Sequence, residues 1–319
     1  MMITQVPLRI SLLGGGTDLP EFFSKYGSGE TLGFAFNSYT TLIAERIYFN
    51  ESLKYRLSYR VNEDVYNIKD IKHPIFKYIL SNFPLPGQYH ISSKSAIPSG
   101  SGVGSSSSFT VALYDLVHRI RDINLSNFEL AAAAVDIERL QLREAGGFQD
   151  QYLVSHPGLN SLKFRSNSDV SVCPIPFNSA VKTLNDHLYL LHTNIVRVAS
   201  YIESSKIIPI DDFNDLVDLA RTGKEMLLND SFLISDFSKL ITESWIIKRS
   251  LSSNISNSEV DFLVKLLIDH EVFGVKLCGA GAGGVLLVIA EADIIERITK
   301  KYSLNFLKIG IDFNGIRRF

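Results

Sequence analysis

Val6, Leu8, Ile10 and Leu12 alternate along residues 5–12, with Arg9 on the opposite side, and this period of two predicts a strand. Gly14, Gly15 and Gly16 break it. Thr17 or Asp18 is then placed to cap a short helix with Pro20 near its start and Gly27 near its end. Residues 31–49, rich in Thr, Ile, Phe and Tyr, read as one or two strands. A helical period follows a run of serines: Phe109, Leu113, Leu116, Val117 and Ile120 share one face. Ser126 and Glu129 have capping-box spacing ahead of Leu130, Ala133, Ala134, Ile137 and Leu140, and Gly146 with Gly147 closes that segment. Strand-like stretches come next at 162–164 and 188–192, and residues 211–251 are mostly helical in pattern. Another helix is predicted over 259–271, introduced by Ser256 and closed near Gly274. Two short apolar strands then flank a glycine turn within 275–289. Pro174 and Pro176 punctuate the middle of the chain, which predicts two units, 1–180 and 181–319.

A length of 319 residues accommodates one large or two medium domains with a sizeable core. The content of 45% hydrophobic and 21% charged residues is that of a soluble globular protein. A formal net charge of −2 gives no global attraction to nucleic acid or anionic membrane. Cys173 and Cys278, far apart in sequence, argue against a disulfide framework or thiolate metal site and for a reducing compartment. The first nine residues lack a basic segment followed by an apolar signal core, and the longest apolar run, 285–290, is too short to span a bilayer. The expected location is the cytoplasm.

Candidate chemistry concentrates in residues 98–108, Pro-Ser-Gly-Ser-Gly-Val-Gly-Ser-Ser-Ser-Ser, which open the helix containing Phe109. Glycines let backbone N–H groups converge, serines add hydroxyls, and the helix N-terminus favours an anion. A flexible linker would not run straight into a buried helix face, so a phosphate cradle is the better reading. The loop has no Gly-Lys-Ser/Thr, so any phosphate is held without a Walker-type lysine. Gly279, Gly281 and Gly284 satisfy GxGxxG, but a strand follows them where a dinucleotide fingerprint needs a helix. No GxSxG or HExxH occurs, and the seven histidines are scattered, so serine hydrolase and zinc enzyme fit poorly.

Residues 7–18 (Pro-Leu-Arg-Ile-Ser-Leu-Leu-Gly-Gly-Gly-Thr-Asp), 98–108 and 276–284, in that order, resemble the three motifs of the GHMP small-molecule kinases, which phosphorylate hydroxyl substrates with ATP. Residues 147–152, 243–250 and 311–315 are most similar to the D-glycero-D-manno-heptose 7-phosphate kinase branch, close to the kinase part of fucokinases. The resemblance implies a two-domain α+β fold with a ferredoxin-like C-terminal domain and an active site in the interdomain cleft. ATP and Mg²⁺ are the implied cofactors. Pro98, Gly100, Ser101, Gly102, Val103, Gly104, Ser105, Ser106 and Ser107 would wrap the ATP phosphates. Ser106 would contact Mg²⁺, with Ser105 and Ser107 close behind, and Glu138 would be the metal's carboxylate. A solvated helix glutamate is the alternative for Glu138. Asp150 would sit beside the acceptor hydroxyl as proton acceptor or electrostatic anchor, with Arg9 between that hydroxyl and the γ-phosphoryl group. A turn-stabilising Asp150 and a surface ion pair for Arg9 are the alternatives. Gly16, Thr17 and Asp18 resemble the sugar-contacting end of the first motif, and Gly281 lies in the third, which would close the nucleotide site. Arg197, Lys248 and Arg249 are candidates to hold a phosphate already on the acceptor.

The chain departs from that branch at 194–197, Asn-Ile-Val-Arg in place of Gly-Ile-Ser-Arg, at residues 31–36, and at Phe148, where a small residue is common. The expected reaction is phosphorylation of the anomeric hydroxyl of a heptose 7-phosphate. The alternatives are a kinase of an unphosphorylated sugar, of fucose, galactose or N-acetylhexosamine type, and a non-catalytic nucleotide or sugar sensor. The expected partner is a small-molecule sugar or sugar phosphate, and the protein would be a monomer or homodimer.

Overall fold

The computed structural model describes residues 1–49, 52–195, 213–252 and 254–319. The alternating N-terminal run forms β1 (Met2–Leu13), and the Thr- and aromatic-rich run forms one long strand, β2 (Ser28–Arg46). They pair antiparallel from Met2↔Ala44 to Leu13↔Leu32, with register shifts between Pro7 and Leu8 and between Ser11 and Leu13. Between them lies α1 (Pro20–Tyr26). Neither Thr17 nor Asp18 caps it: the N-cap is Leu19, without a side-chain bond, and Pro20 opens the first turn.

The length of β2 gives it two further partners, β5 (Tyr89–Ser95) along its second half and β6 (Leu159–Arg165) along its first. β3 (Tyr55–Ser58) joins β5 in parallel, β4 (Asn62–Val65) joins β3, and β7 (Val170–Pro174) joins β6. The sheet is covered by α2 (Pro74–Asn82), α3 (Ser105–Ile120), α4 (Asn127–Val135) and α5 (Gln149–Ser155), and α6 (Ser179–Asp186) follows. The apolar face predicted on α3 is buried as expected, and Thr110, Val111 and Ala112 are buried with it. At α4 the capping box is complete, Ser126 Oγ accepting from Glu129 N–H and the Glu129 carboxylate from Ser126 N–H. The helix does not continue regularly to Gly146: it passes into a π-helical turn at Asp136–Gln141.

The second sheet has four antiparallel strands, β8 (Leu188–His192), β9 (Gly274–Leu277), β10 (Val285–Ile289) and β11 (Phe306–Lys308), in the order β11-β8-β10-β9. α7 (Asn214–Leu227), α8 (Ile234–Ser250) and α9 (Ser258–Asp269) lie between β8 and β9, and α10 (Ala292–Tyr302) between β10 and β11. Asn257, not Ser256, caps α9. The order is that of a ferredoxin-like β-α-β-β-α-β unit, and the whole is α+β. Residues 181–319 do not all stay with this sheet, because β12 (Arg317–Arg318) returns to pair with β1.

Leu8, Ile10 and Leu12 of β1 pack with Phe34 and Phe36 of β2 and with Leu190, Phe237 and Leu287 of the second unit. The two sheets therefore share one core, and alternation along β1 sends Arg9 to the side away from it. Among the described residues no helix is long and apolar enough to cross a membrane. Cys173 is exposed and Cys278 buried.

Candidate active site

Arg9 emerges from β1 against the N-terminus of α3 and the first turn of α5. Its Nε and second terminal nitrogen donate to the two Asp150 oxygens at 2.8 and 2.5 Å, and its remaining nitrogen donates to the Gly102 carbonyl at 2.6 Å. Its backbone N–H bonds the Val103 carbonyl at 3.0 Å. One side chain thus joins strand, loop and helix, which is neither a surface ion pair nor a turn-stabilising aspartate. Burial would push the Asp150 carboxyl up, but Arg9, with Arg139 and Lys248 beyond it, holds it below the ordinary carboxylate range. Asp150 is a carboxylate at neutral pH, and its side chain keeps 24% of its surface exposed.

The loop is shaped for approach to Arg9. Gly100, Gly102 and Gly104 all have positive φ, and Gly104, the N-cap of α3, is left-handed at φ 74°. A Cβ on Gly104 would lie 2.7 Å from Arg9 Cγ, so glycine is required there. No side chain caps α3, and the first amide to bond back is that of Ser108, to the Gly104 carbonyl at 2.9 Å. The amides of Ser105, Ser106 and Ser107 lie in the first turn, where a helix has no acceptors of its own, and the dipole there favours an anion. Ser105 Oγ is buried without a hydrogen-bond partner among the described residues. The Pro98 carbonyl accepts from Ser101 Oγ at 2.7 Å, which folds the loop onto itself.

Glu138 is fully buried, which excludes a solvated helix glutamate. Its carboxylate accepts from Ser107 Oγ at 3.0 Å, Thr110 Oγ1 at 2.6 Å and Gln151 Nε2 at 2.6 Å. Burial pushes it above the ordinary range, against the pull of Arg139. The structure pairs Glu138 with Ser107 rather than Ser106. Ser107 and Thr110 are three residues apart on the inward face of α3, whereas Ser106 is exposed.

The end of the first motif has a different arrangement from the one expected. Thr17 is buried, its hydroxyl bonded to the carbonyls of Gly14 and Glu30 and the amide of Glu30, and this holds the motif to β2. Asp18 is also buried. Its oxygens accept from Gly16 N–H, Gln149 N–H and Gln149 Nε2, so it fastens the glycine turn to the start of α5. Gly16 lies under the Phe213 ring.

The third motif meets the phosphate loop directly: Val285 N–H donates to the Ser101 carbonyl at 3.1 Å. Gly281 itself lies against the backbone of Ile255. Lys248 donates to the Gly279 carbonyl at 2.9 Å and acts electrostatically on Asp150. Arg249 is not at the site, because the next position on α8 turns it outward to an ion pair with Asp261 of α9. Arg197 lies outside the described residues. Sequence reasoning missed Gln149, Gln151 and Thr110. Thr110 could have been found from its three-residue spacing to Ser107, but the glutamines flank Asp150 with no periodic signal.

A glycine-serine loop opens a buried helix, an Arg–Asp pair crosses it and a buried glutamate backs it, on a two-unit α+β scaffold. The sequence profile of the GHMP kinases N terminal domain matches residues 70–158, and that of the GHMP kinases C terminal domain matches residues 231–305. The chain is similar to D-glycero-alpha-D-manno-heptose 7-phosphate kinase of Campylobacter jejuni, with 31% identity over 315 residues, 94% of this chain and 91% of the relative. It is 24% identical over 340 residues to a galactokinase of Pyrococcus furiosus, covering 94% and 93% of the two chains. A D-glycero-D-manno-heptose 1-phosphate kinase from Bacteroides thetaiotaomicron superposes with a TM-score of 0.79 at 20% identity, over 100% of this chain and 99% of the other. A putative sugar kinase of Campylobacter jejuni gives 0.77 at 25% identity, over 100% and 98%. The chain belongs to the GHMP kinases. It is an ATP-dependent phosphotransferase.

Proposed function

We propose that the protein is a sugar kinase that transfers the γ-phosphoryl group of ATP to the anomeric hydroxyl of D-glycero-D-manno-heptose 7-phosphate, giving the 1,7-bisphosphate. The observation that carries the reading is the Arg9–Asp150 pair seated on the Gly102 carbonyl at the start of α3. The choice of acceptor is supported by the 31% identity along nearly the whole chain to a heptose 7-phosphate kinase.

The amides of Ser105 to Ser107 would hold the donor phosphates, and Arg9 would neutralise charge on the transferring group. Asp150 would orient the acceptor hydroxyl and take its proton as the new bond to phosphorus forms. A carboxylate of low basicity is sufficient, because the loose transition state of phosphoryl transfer demands positioning more than early deprotonation. The residues also fit magnesium. Glu138 supplies one buried carboxylate bonded to the hydroxyl of Ser107, an all-oxygen set of the kind the ion takes together with substrate phosphates. When bound, the ion would neutralise charge on the donor phosphates.

One observation favours the second reading, a kinase of an unphosphorylated sugar. Of the described cations considered for a distal phosphate, Lys248 donates to the Gly279 carbonyl and Arg249 is paired with Asp261. ADP release measured across sugars with and without a terminal phosphate separates the two. Turnover of the heptose 7-phosphate well above free sugars is expected. Turnover of free sugars alone rejects this acceptor, and turnover of none rejects a sugar kinase.

A further inference from the structure

Lys276 sits where a lysine is out of place. All four residues of β9 are buried, and strands buried on both faces are ordinarily apolar throughout. Lys276 is only 4% exposed and lies opposite Leu287 of β10. Its Nζ donates to the Leu12 carbonyl at 2.6 Å, on the strand that carries Arg9 three residues earlier. Among the described residues no carboxylate forms an ion pair with it, whereas Arg9 is matched by Asp150.

We propose that Lys276 is a positioning residue for phosphoryl transfer, fixing the end of β1 from the second unit and keeping an unmatched positive charge behind Arg9. The inference rests on the kinase reading above. A buried charge with no carboxylate partner among the described residues is costly, and charge that builds up on the leaving ADP oxygen in the transition state relieves it more than bound ATP does. Among the described residues the surroundings contain little else that titrates. β1 presents Arg9, β10 presents Leu287, α8 meets β9 with Ser238 and Thr242, and α9 contributes apolar side chains. Cys278, two residues along β9's own continuation, is the remaining titratable neighbour. Burial brings the Lys276 ammonium down to about 8, with Cys278 opposing and Arg9 adding to the fall. The protonated form therefore predominates below that pH and is lost above it.

The test is the pH profile of kcat/KM for ATP, which reads ionisations of the free enzyme, from about pH 7 to about pH 9.5 for wild type, Lys276→Met, Lys276→Arg and Cys278→Ala, with folding checked by circular dichroism. Wild type should lose activity on the alkaline side. Lys276→Met should be slower about tenfold or more at neutral pH, with KM for ATP within about threefold, and show no alkaline loss. Lys276→Arg, charged throughout, should keep at least about a third of wild-type kcat and stay flat. Cys278→Ala should retain the wild-type limb. A folded Lys276→Arg with the wild-type limb, or a Lys276→Met within about twofold of wild type, overturns the assignment while leaving the kinase reading intact. A wild type that turns over no sugar overturns both.

Discussion

Asp150 is held ionised by a guanidinium that reaches both of its oxygens, and this geometry sets what its replacement should do. Asp150→Asn keeps the shape but removes the charge and the proton acceptor. The expected result is a loss of kcat of about 10²- to 10³-fold, with ATP affinity within about threefold, because the loop amides remain. Steady-state kinetics with nucleotide binding by calorimetry checks this, and an unchanged kcat removes Asp150 from the reaction. That Arg9 and Asp150 come together was legible because both sit inside recognisable motifs. Thr17 and Asp18 were harder: residue type cannot tell a substrate-facing hydroxyl from one spent on the backbone of β2, since the partner, Glu30, is fixed only by tertiary pairing.

At the scale of elements, the phosphate loop is held from outside as well as by its own bonds. Gly284 has φ 102°, and a Cβ there would lie 2.5 Å from the Ser101 carbonyl, next to the bond from Val285 N–H. Gly284→Ala should push the third motif off the loop and raise KM for ATP about tenfold, while the far side of the molecule stays folded. Initial-rate kinetics as a function of ATP checks it; an unaltered KM would show that the contact is dispensable. Strands β1 and β2, helix α3 and the capping box of α4 were readable because period and capping are local properties. The π-helical turn carrying Glu138 was not, since the 127–141 sequence is compatible with an unbroken helix. Its extra residue rotates the side chains beyond it about the helix axis, and such turns recur at functional sites. Which serine bonds Glu138 was not readable for a related reason: it depends on the rotation of α3 about its axis, which packing sets.

At the scale of the whole molecule, the chain closes on itself. β12 pairs with β1, and Arg318 Nε donates to Asp115 Oδ1 at 2.9 Å, while Thr4 Oγ1 donates to Oδ2 at 2.9 Å. Asp115 is buried in α3, so the last residues of the sequence brace the helix whose other end forms the phosphate loop. The sequence division at residue 180 could not show this return, because two paired residues carry no periodic signal. Asp115→Ala leaves Thr4 and Arg318 without their acceptor and should cost about 2–3 kcal/mol, read as a lower melting temperature with the Arg9–Asp150 pair intact. An unchanged melting temperature would mean that the brace is not stabilising. The shared core and this closure present one strand, one loop and one short helix to a common point, where the proposed reaction carries phosphate from ATP to the sugar's anomeric oxygen. Phosphorus NMR of the product formed from ATP, magnesium and D-glycero-D-manno-heptose 7-phosphate measures that transfer directly. The account predicts a new phosphate resonance coupled to the anomeric proton, one per ADP formed; ADP accumulating with free phosphate, or a heptose that keeps only its 7-phosphate, would contradict it.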